Sequence, residues 1–212
     1  VDKDFAFPRR HAIARTGGRT REVYRELGDL GLTGLVLPEA FGGLGLGPVE
    51  AMVVCEELGR GLVNAPYAQG ALLAPVLLSA AAPALQAAWL PRVADASALV
   101  VLAQQERHSR YRLNNVGTRA TEGAEGWRID GLKTVVPAGD EADAWVVPAR
   151  VSGDDADPHG IALFLVERTA AGVLVRAHPT QDGARAAELH FTATPAQLIG
   201  LEGLPVLEQD RK

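Results

Sequence analysis

The hydrophobic period changes partway along this chain, and the change limits what it can fold into. Before Ser97, apolar residues recur at helical spacing. After it, they fall into short blocks parted by turn residues, as strands do. Side chains return to the same face about every 3.6 residues in a helix and every second residue in a strand, so one pattern does not serve both. The expectation is a helical unit joined near residues 94–99 to a β unit. A chain of 212 residues holds one large domain or two small ones.

In the first half, Thr20 stands where a helix cap belongs, ahead of Val23, Leu27 and Leu30 on one face. Residues 38–50 (PEAFGGLGLGPVE) read as an ordered, turn-rich loop. Gly47 and Pro48 then open a helix, because proline's missing N–H is an orphan at the first helical position anyway. Met52, Val53, Glu56, Glu57 and Arg60 follow at helical spacing, and Gly59 and Gly61 mark its end. The glycines are not a dinucleotide loop. Gly43, Gly45 and Gly47 fall at every second position, Glu50 stands where a third loop glycine belongs, and no strand precedes them. Residues 68–81 are apolar all round, which predicts a buried helix bent or restarted at Pro75. Pro83 opens another helix, with Leu85, Trp89 and Val93 on one face.

In the second half, residues 99–103 form a continuous apolar run. Residues 127–136 (WRIDGLKTVV) read as a hairpin turning at Asp130-Gly131. Residues 144–149, 161–166, 173–177 and 187–191 are further strands. Short strands at this spacing predict a sandwich or barrel. The fold class expected is α+β: an N-terminal helical domain, then a mostly antiparallel β-sandwich or barrel.

The net charge of −5 argues against a general nucleic-acid surface. The single cysteine, Cys55, builds no disulfide framework, is expected to be a small core residue, and points to a cytoplasmic setting. The chain starts without a cationic-then-apolar leader pattern. The most apolar run, 71–85, is broken by Pro75 and Pro83 and is too short to cross a bilayer, so no membrane partner is expected. His11, His108, His159, His178 and His190 are scattered with no cysteine partners, so no metal site is expected. No nucleophile elbow appears.

Residues 38–61 resemble the first-domain signature of the acyl-CoA dehydrogenase family. Residues 127–150 resemble its middle-domain pattern of a tryptophan, a hairpin, a lysine (Lys133) and a strand ending in arginine (Arg150). Residues 160–166, 180–189 and 199–209 resemble later segments of the same family. The flavour is that of small subunits of heteromeric pimeloyl-CoA or steroid enzymes. The resemblance implies residues 1–97 as the helical domain, 98–198 as the middle β domain, and 199–212 as the start of a C-terminal helical domain that is otherwise missing.

It also implies FAD, cradled by the β domain. At 105–112 (QERHSRYR) only Glu106 keeps the family's residue in place. Gln105 stands for a threonine that meets the flavin, and Tyr111 for a serine near substrate. After Lys133, Val135, Val136 and Pro137 replace an expected tryptophan and threonine. The implied flavin contacts are the backbone N–H groups of Ala103 and Gln105, with Val135 and Pro137 alongside. Arg107, Arg110 and Arg112, with Tyr111 among them, are the candidate phosphate-binding residues for FAD or CoA, since guanidinium suits bidentate phosphate contact.

The implied reaction is α,β-dehydrogenation of an acyl-CoA thioester, with hydride passing to FAD. No catalytic residue is assigned here, because the family's glutamate base belongs to the third domain, and Glu202 and Glu208 do not occupy its place. The chain alone is expected to be inactive. Helix faces such as 71–78 are expected to lack cover, giving a homo- or hetero-oligomer, and an electron-transfer flavoprotein is an implied partner. Two readings compete: a non-catalytic scaffolding subunit, and an acyl-CoA-binding module without redox activity.

Overall fold

A computed structural model describes residues 5–209, so the expected domain limits at Val1 and Lys212 lie outside the described residues. Five α-helices come first: α1 (Phe7–Arg15), α2 (Arg21–Asp29), α3 (Pro48–Arg60), α4 (Ala74–Ser79) and α5 (Pro83–Ala94). Seven strands follow: β1 (Val100–Leu102), β2 (Arg119–Gly123), β3 (Gly126–Pro137), β4 (Ala144–Arg150), β5 (Ile161–Glu167), β6 (Val173–Pro179) and β7 (Arg185–Gly200). A last helix, α6, spans Gly203–Gln209. The change from helix to strand falls between Ala94 and Val100, where the sequence period changes.

The strands close on themselves. β4 pairs with β5, β5 with β7, β7 with β3, β3 with β2, and β2 returns to β4 at Arg119 and Arg150. β1 lies parallel to the start of β4, and β6 lies antiparallel to β7. Every other pairing in the ring is antiparallel except β2 with β4.

The continuous apolar runs of β4 and β5 have a physical reason. Trp145, Val147, Phe164 and Val166 fill the barrel interior, while Ala144, Val146, Leu163 and Leu165 meet Leu77, Leu78, Trp89 and Val93 of α4 and α5. Both faces of these strands are covered, so neither face is polar. The same burial joins helices and barrel through one apolar layer.

Several expectations are corrected. The 127–136 segment is not a hairpin. β3 runs straight through Asp130-Gly131, and the chain reverses instead at Ala124-Glu125, where Gly123 pairs with Gly126. Asp130-Gly131 is a bulge: the register with β7 shifts there, and a Cβ on Gly131 would lie 2.7 Å from the Thr118 hydroxyl. Asp130 spends its carboxylate on the Ala193 N–H at 2.8 Å. Thr20 precedes α2 without a side-chain cap, and its own N–H donates to Glu141. Leu30 is exposed and Tyr24 takes the buried position on that helix. Cys55 is exposed on α3 rather than packed in the core. The 68–81 segment does restart at Pro75, as a π-helical turn (Ala68–Leu73) running into α4. Of the 71–78 face, Ala71, Ala74, Leu77 and Leu78 are covered while Val76 is exposed, and Leu44, Leu46, Val49, Met52 and Val53 on α3 and the loop before it are also exposed. Among the described residues no helix is long and apolar enough to cross a membrane.

Phe164 is fully buried and tilts against Trp127 with ring centroids 5.2 Å apart. Phe164→Ala should lower the unfolding free energy by about 3–5 kcal/mol in urea titration, because the cavity it leaves is walled by strands bonded on both sides. A loss under about 1 kcal/mol would show that the barrel interior repacks freely.

Candidate functional site

A cavity of about 360 Å³ opens between the two halves of the chain. Gln69 and Leu73 of the π-helical turn form one wall, and Leu102, Gln104 and Gln105 at the end of β1 form another. The loop after Gln105 contributes Arg110, Tyr111, Arg112 and Leu113, and the end of β3 contributes Val135, Val136 and Pro137. The structure thus brings together Gln105, Val135, Pro137, Arg110, Tyr111 and Arg112 from distant parts of the sequence. Arg107 is exposed on the same loop and does not line the cavity. Ala103 is a correction: it is fully buried, and its N–H donates to the Val146 carbonyl at 2.8 Å, so that donor is spent inside the barrel.

Val135 reaches the cavity because β3 bulges. The register with β7 shifts between Lys133 and Val136, and Val135 adopts a φ of 49°. A β-branched residue there is strained, and such strain gathers at functional sites. The bulge leaves Val135 about half exposed, at 49%. It is pinned by the Thr134 N–H, which donates to the Gln105 carbonyl at 2.7 Å. Gln104 keeps its side-chain oxygen buried without a hydrogen-bond partner among the described residues. The wall is therefore apolar below and carries two guanidinium groups. No carboxylate lines it.

A buried ion pair supports this wall. Lys133 has no solvent exposure, and its ammonium donates to Glu106 at 2.6 Å. The same carboxylate accepts from the Thr118 hydroxyl (2.7 Å), the Thr118 N–H (3.1 Å) and the Gly117 N–H (2.8 Å). Burial pushes the Glu106 carboxyl up, but the Lys133 charge and these hydrogen bonds outweigh it and hold the group below the usual carboxylate range. Burial also pushes the Lys133 ammonium below its usual value, and Glu106 offsets only part of that. Opposing desolvation is normal for a buried pair, and the carboxylate, with four donors, sets the direction. Sequence reading noticed Glu106 and Lys133 singly and missed that they meet. The signal was Lys133 among apolar neighbours on β3, at an inward position.

Arg150, at the end of β4, is also fully buried. Burial lowers its pKa, with the neighbouring charge of Arg119 adding to the effect. Guanidinium stays charged regardless. Among the described residues, no group of three or more His, Cys, Asp or Glu is gathered to hold a metal.

Residues 3–97 match the family description "Acyl-CoA dehydrogenase, N-terminal domain", and residues 101–194 match "Acyl-CoA dehydrogenase, middle domain". The chain belongs to the acyl-CoA dehydrogenase family. It is 32% identical over 161 residues to acyl-CoA dehydrogenase FadE27 of Mycobacterium tuberculosis, covering 76% of this chain and 40% of that protein. It is 30% identical over 149 residues to (2S)-methylsuccinyl-CoA dehydrogenase of Cereibacter sphaeroides, covering 69% of this chain and 27% of that one. Among solved structures it is similar to a variant of the Tcur3481-Tcur3483 steroid ACAD, with a TM-score of 0.85 and 32% identity over 99% of this chain and 56% of that one. The chain thus spans well under two thirds of each of these acyl-CoA dehydrogenase relatives. Members of this family are FAD-dependent oxidoreductases.

Glu106→Gln should cost about 3–5 kcal/mol, because it leaves the Lys133 ammonium buried and unpaired. Adding Lys133→Met should recover much of that loss. A carboxyl whose folded-state pKa lies below its unfolded value stabilises the fold above the unfolded value and loses that contribution as pH falls through the folded one. Acid titration should therefore weaken the wild type from below about pH 4.3, and E106Q should lack this component. Equal acid limbs in the two proteins would show that the pair is not ionised.

Proposed function

We propose that this chain supplies the cofactor- and substrate-facing wall of an acyl-CoA dehydrogenase that oxidises an acyl-CoA thioester between its α and β carbons. The observation that carries the reading is the cavity at the seam of the two halves, with an apolar floor and Arg110 and Arg112 at its wall. FAD, when bound, supplies the hydride acceptor. The residues present fit such a group. Leu102, Val135 and Val136 offer apolar contact to a flat ring. Gln105 adds an amide that donates or accepts. Pro137 donates nothing, having no N–H. Arg110 and Arg112 bind phosphate oxygens of FAD or CoA through fixed donor forks. Arg107, on the same loop, adds positive charge toward the same anion.

The chain's own groups bind, orient and exclude water; among the described residues none of those lining the cavity is a carboxylate, and in this reading the base comes from outside it. Assembly with further copies or with a sister subunit, and electron transfer to a flavoprotein partner, complete the proposed activity.

FAD titrated into the purified chain, followed by flavin absorbance and fluorescence, tests the reading. Saturable binding is expected, weakened by Arg110→Ala with Arg112→Ala. Binding only after co-expression with a sister chain would favour the scaffolding role. No flavin or CoA binding in either preparation would overturn both. The chain alone should not turn over an acyl-CoA with an artificial electron acceptor, since a positioned base is worth on the order of 10²–10⁴ in rate. Turnover by the chain alone would refute that assignment.

A further inference from the structure

We propose that Arg150 is a positioning residue for Arg110 and Arg112, acting through the backbone of the loop that carries them. Among the described residues Arg150 makes no hydrogen bond to the cavity wall and no ion pair. Its guanidinium is spent on main-chain carbonyls. Nε donates to Val116 at 3.2 Å, and Nη2 donates to Asn114 (2.9 Å), Asp155 (3.0 Å) and Asp157 (3.0 Å). Nη1 donates to His159 (2.8 Å) and Ser152 (3.3 Å).

Six carbonyl dipoles from two separate segments thus point at one place. Without a cation there, they repel one another and sit unsatisfied in a site closed to water. The two segments are the end of the arginine loop (Asn114, Val116) and the strap of residues 152–160. Further bonds join them: the Asn114 side chain donates to the Ala156 carbonyl at 2.7 Å, and the Val116 N–H donates to Asp155 at 2.8 Å. Glu106, at the loop's start, also holds Gly117 and Thr118 just past its end. Within the loop, the Arg112 N–H donates to Ser109 and the Asn115 side chain donates to His108. Glu106 closes the loop's exit, and Arg150 ties its last residues, Asn114 and Val116, to the strap, so that the segment carrying the arginines is held along its length. Lysine is no substitute, since an ammonium has three donors and no planar fork.

This inference rests on the reading of the cavity as a phosphate-binding site, and its test separates the two. Amide hydrogen exchange is measured on the ligand-free chain for wild type, Arg150→Lys and Arg150→Ala. Coenzyme A binding is then measured by calorimetry well below each variant's melting temperature. Faster exchange confined to residues 108–118 and 152–160 is expected, with β3 and β7 unchanged. Coenzyme A affinity should fall about tenfold, the scale of one lost charge-assisted hydrogen bond. Low-millimolar guanidinium should partly restore both in the alanine variant. If that variant does not fold, the lysine variant decides. Uniform exchange changes, or unchanged coenzyme A affinity in a folded variant, would overturn the positioning role. If coenzyme A does not bind the wild type, the phosphate reading fails, and the exchange pattern alone decides whether Arg150 orders the loop.

Discussion

Lys133 sits inside the protein with no water around it, and an unpaired ammonium there would cost several kcal/mol. Everything near the cavity is arranged so that this does not happen. Glu106 comes to Lys133 from the segment after β1, and Gly117 and Thr118 close on the same carboxylate from the segment before β2. One ion pair therefore ties β3 to both ends of the arginine loop. The bulge that turns Val135 toward the cavity follows directly after Lys133.

The larger packing makes that pair affordable. β4 and β5 are covered on one face by the barrel interior and on the other by α4 and α5. Such two-sided burial removes water from the sheet and makes the barrel and the helices mechanically one body at that layer. The cavity lies where this layer ends, between the π-helical turn and the β3 bulge. Its polar groups come from the π-helical turn (Gln69) and from the loop after β1. Arg150 works by the same logic as Lys133, as a buried charge satisfied by many fixed partners. Its partners are carbonyls instead of a carboxylate, so it orders loops without forming an ion pair.

The order of helix before strand, the restart at Pro75, and most strands were legible in the sequence, because apolar period and proline act over a few residues. The arginine loop and the residues around Val135 were singled out only through resemblance, and Gln105, Arg110, Tyr111, Arg112, Val135 and Pro137 line one cavity. Local rules failed where a tertiary contact competed. Asp130-Gly131 has turn chemistry, yet Thr118 and Ala193 press on it and β3 continues as a bulge. Thr20 has a capping side chain, yet its ψ of 12° leaves the extended region a cap adopts, and its N–H is held by Glu141. Ala103 looked available as a donor, yet β4 claims its N–H. The sequence by itself determined which segments are helix or strand and which family they belong to, since those depend on neighbours along the chain. Only the tertiary structure decided that Glu106 meets Lys133, that Arg150 meets six carbonyls, and which side chains share the cavity, because these are long-range contacts fixed by barrel closure and by the cost of burying an unpaired charge.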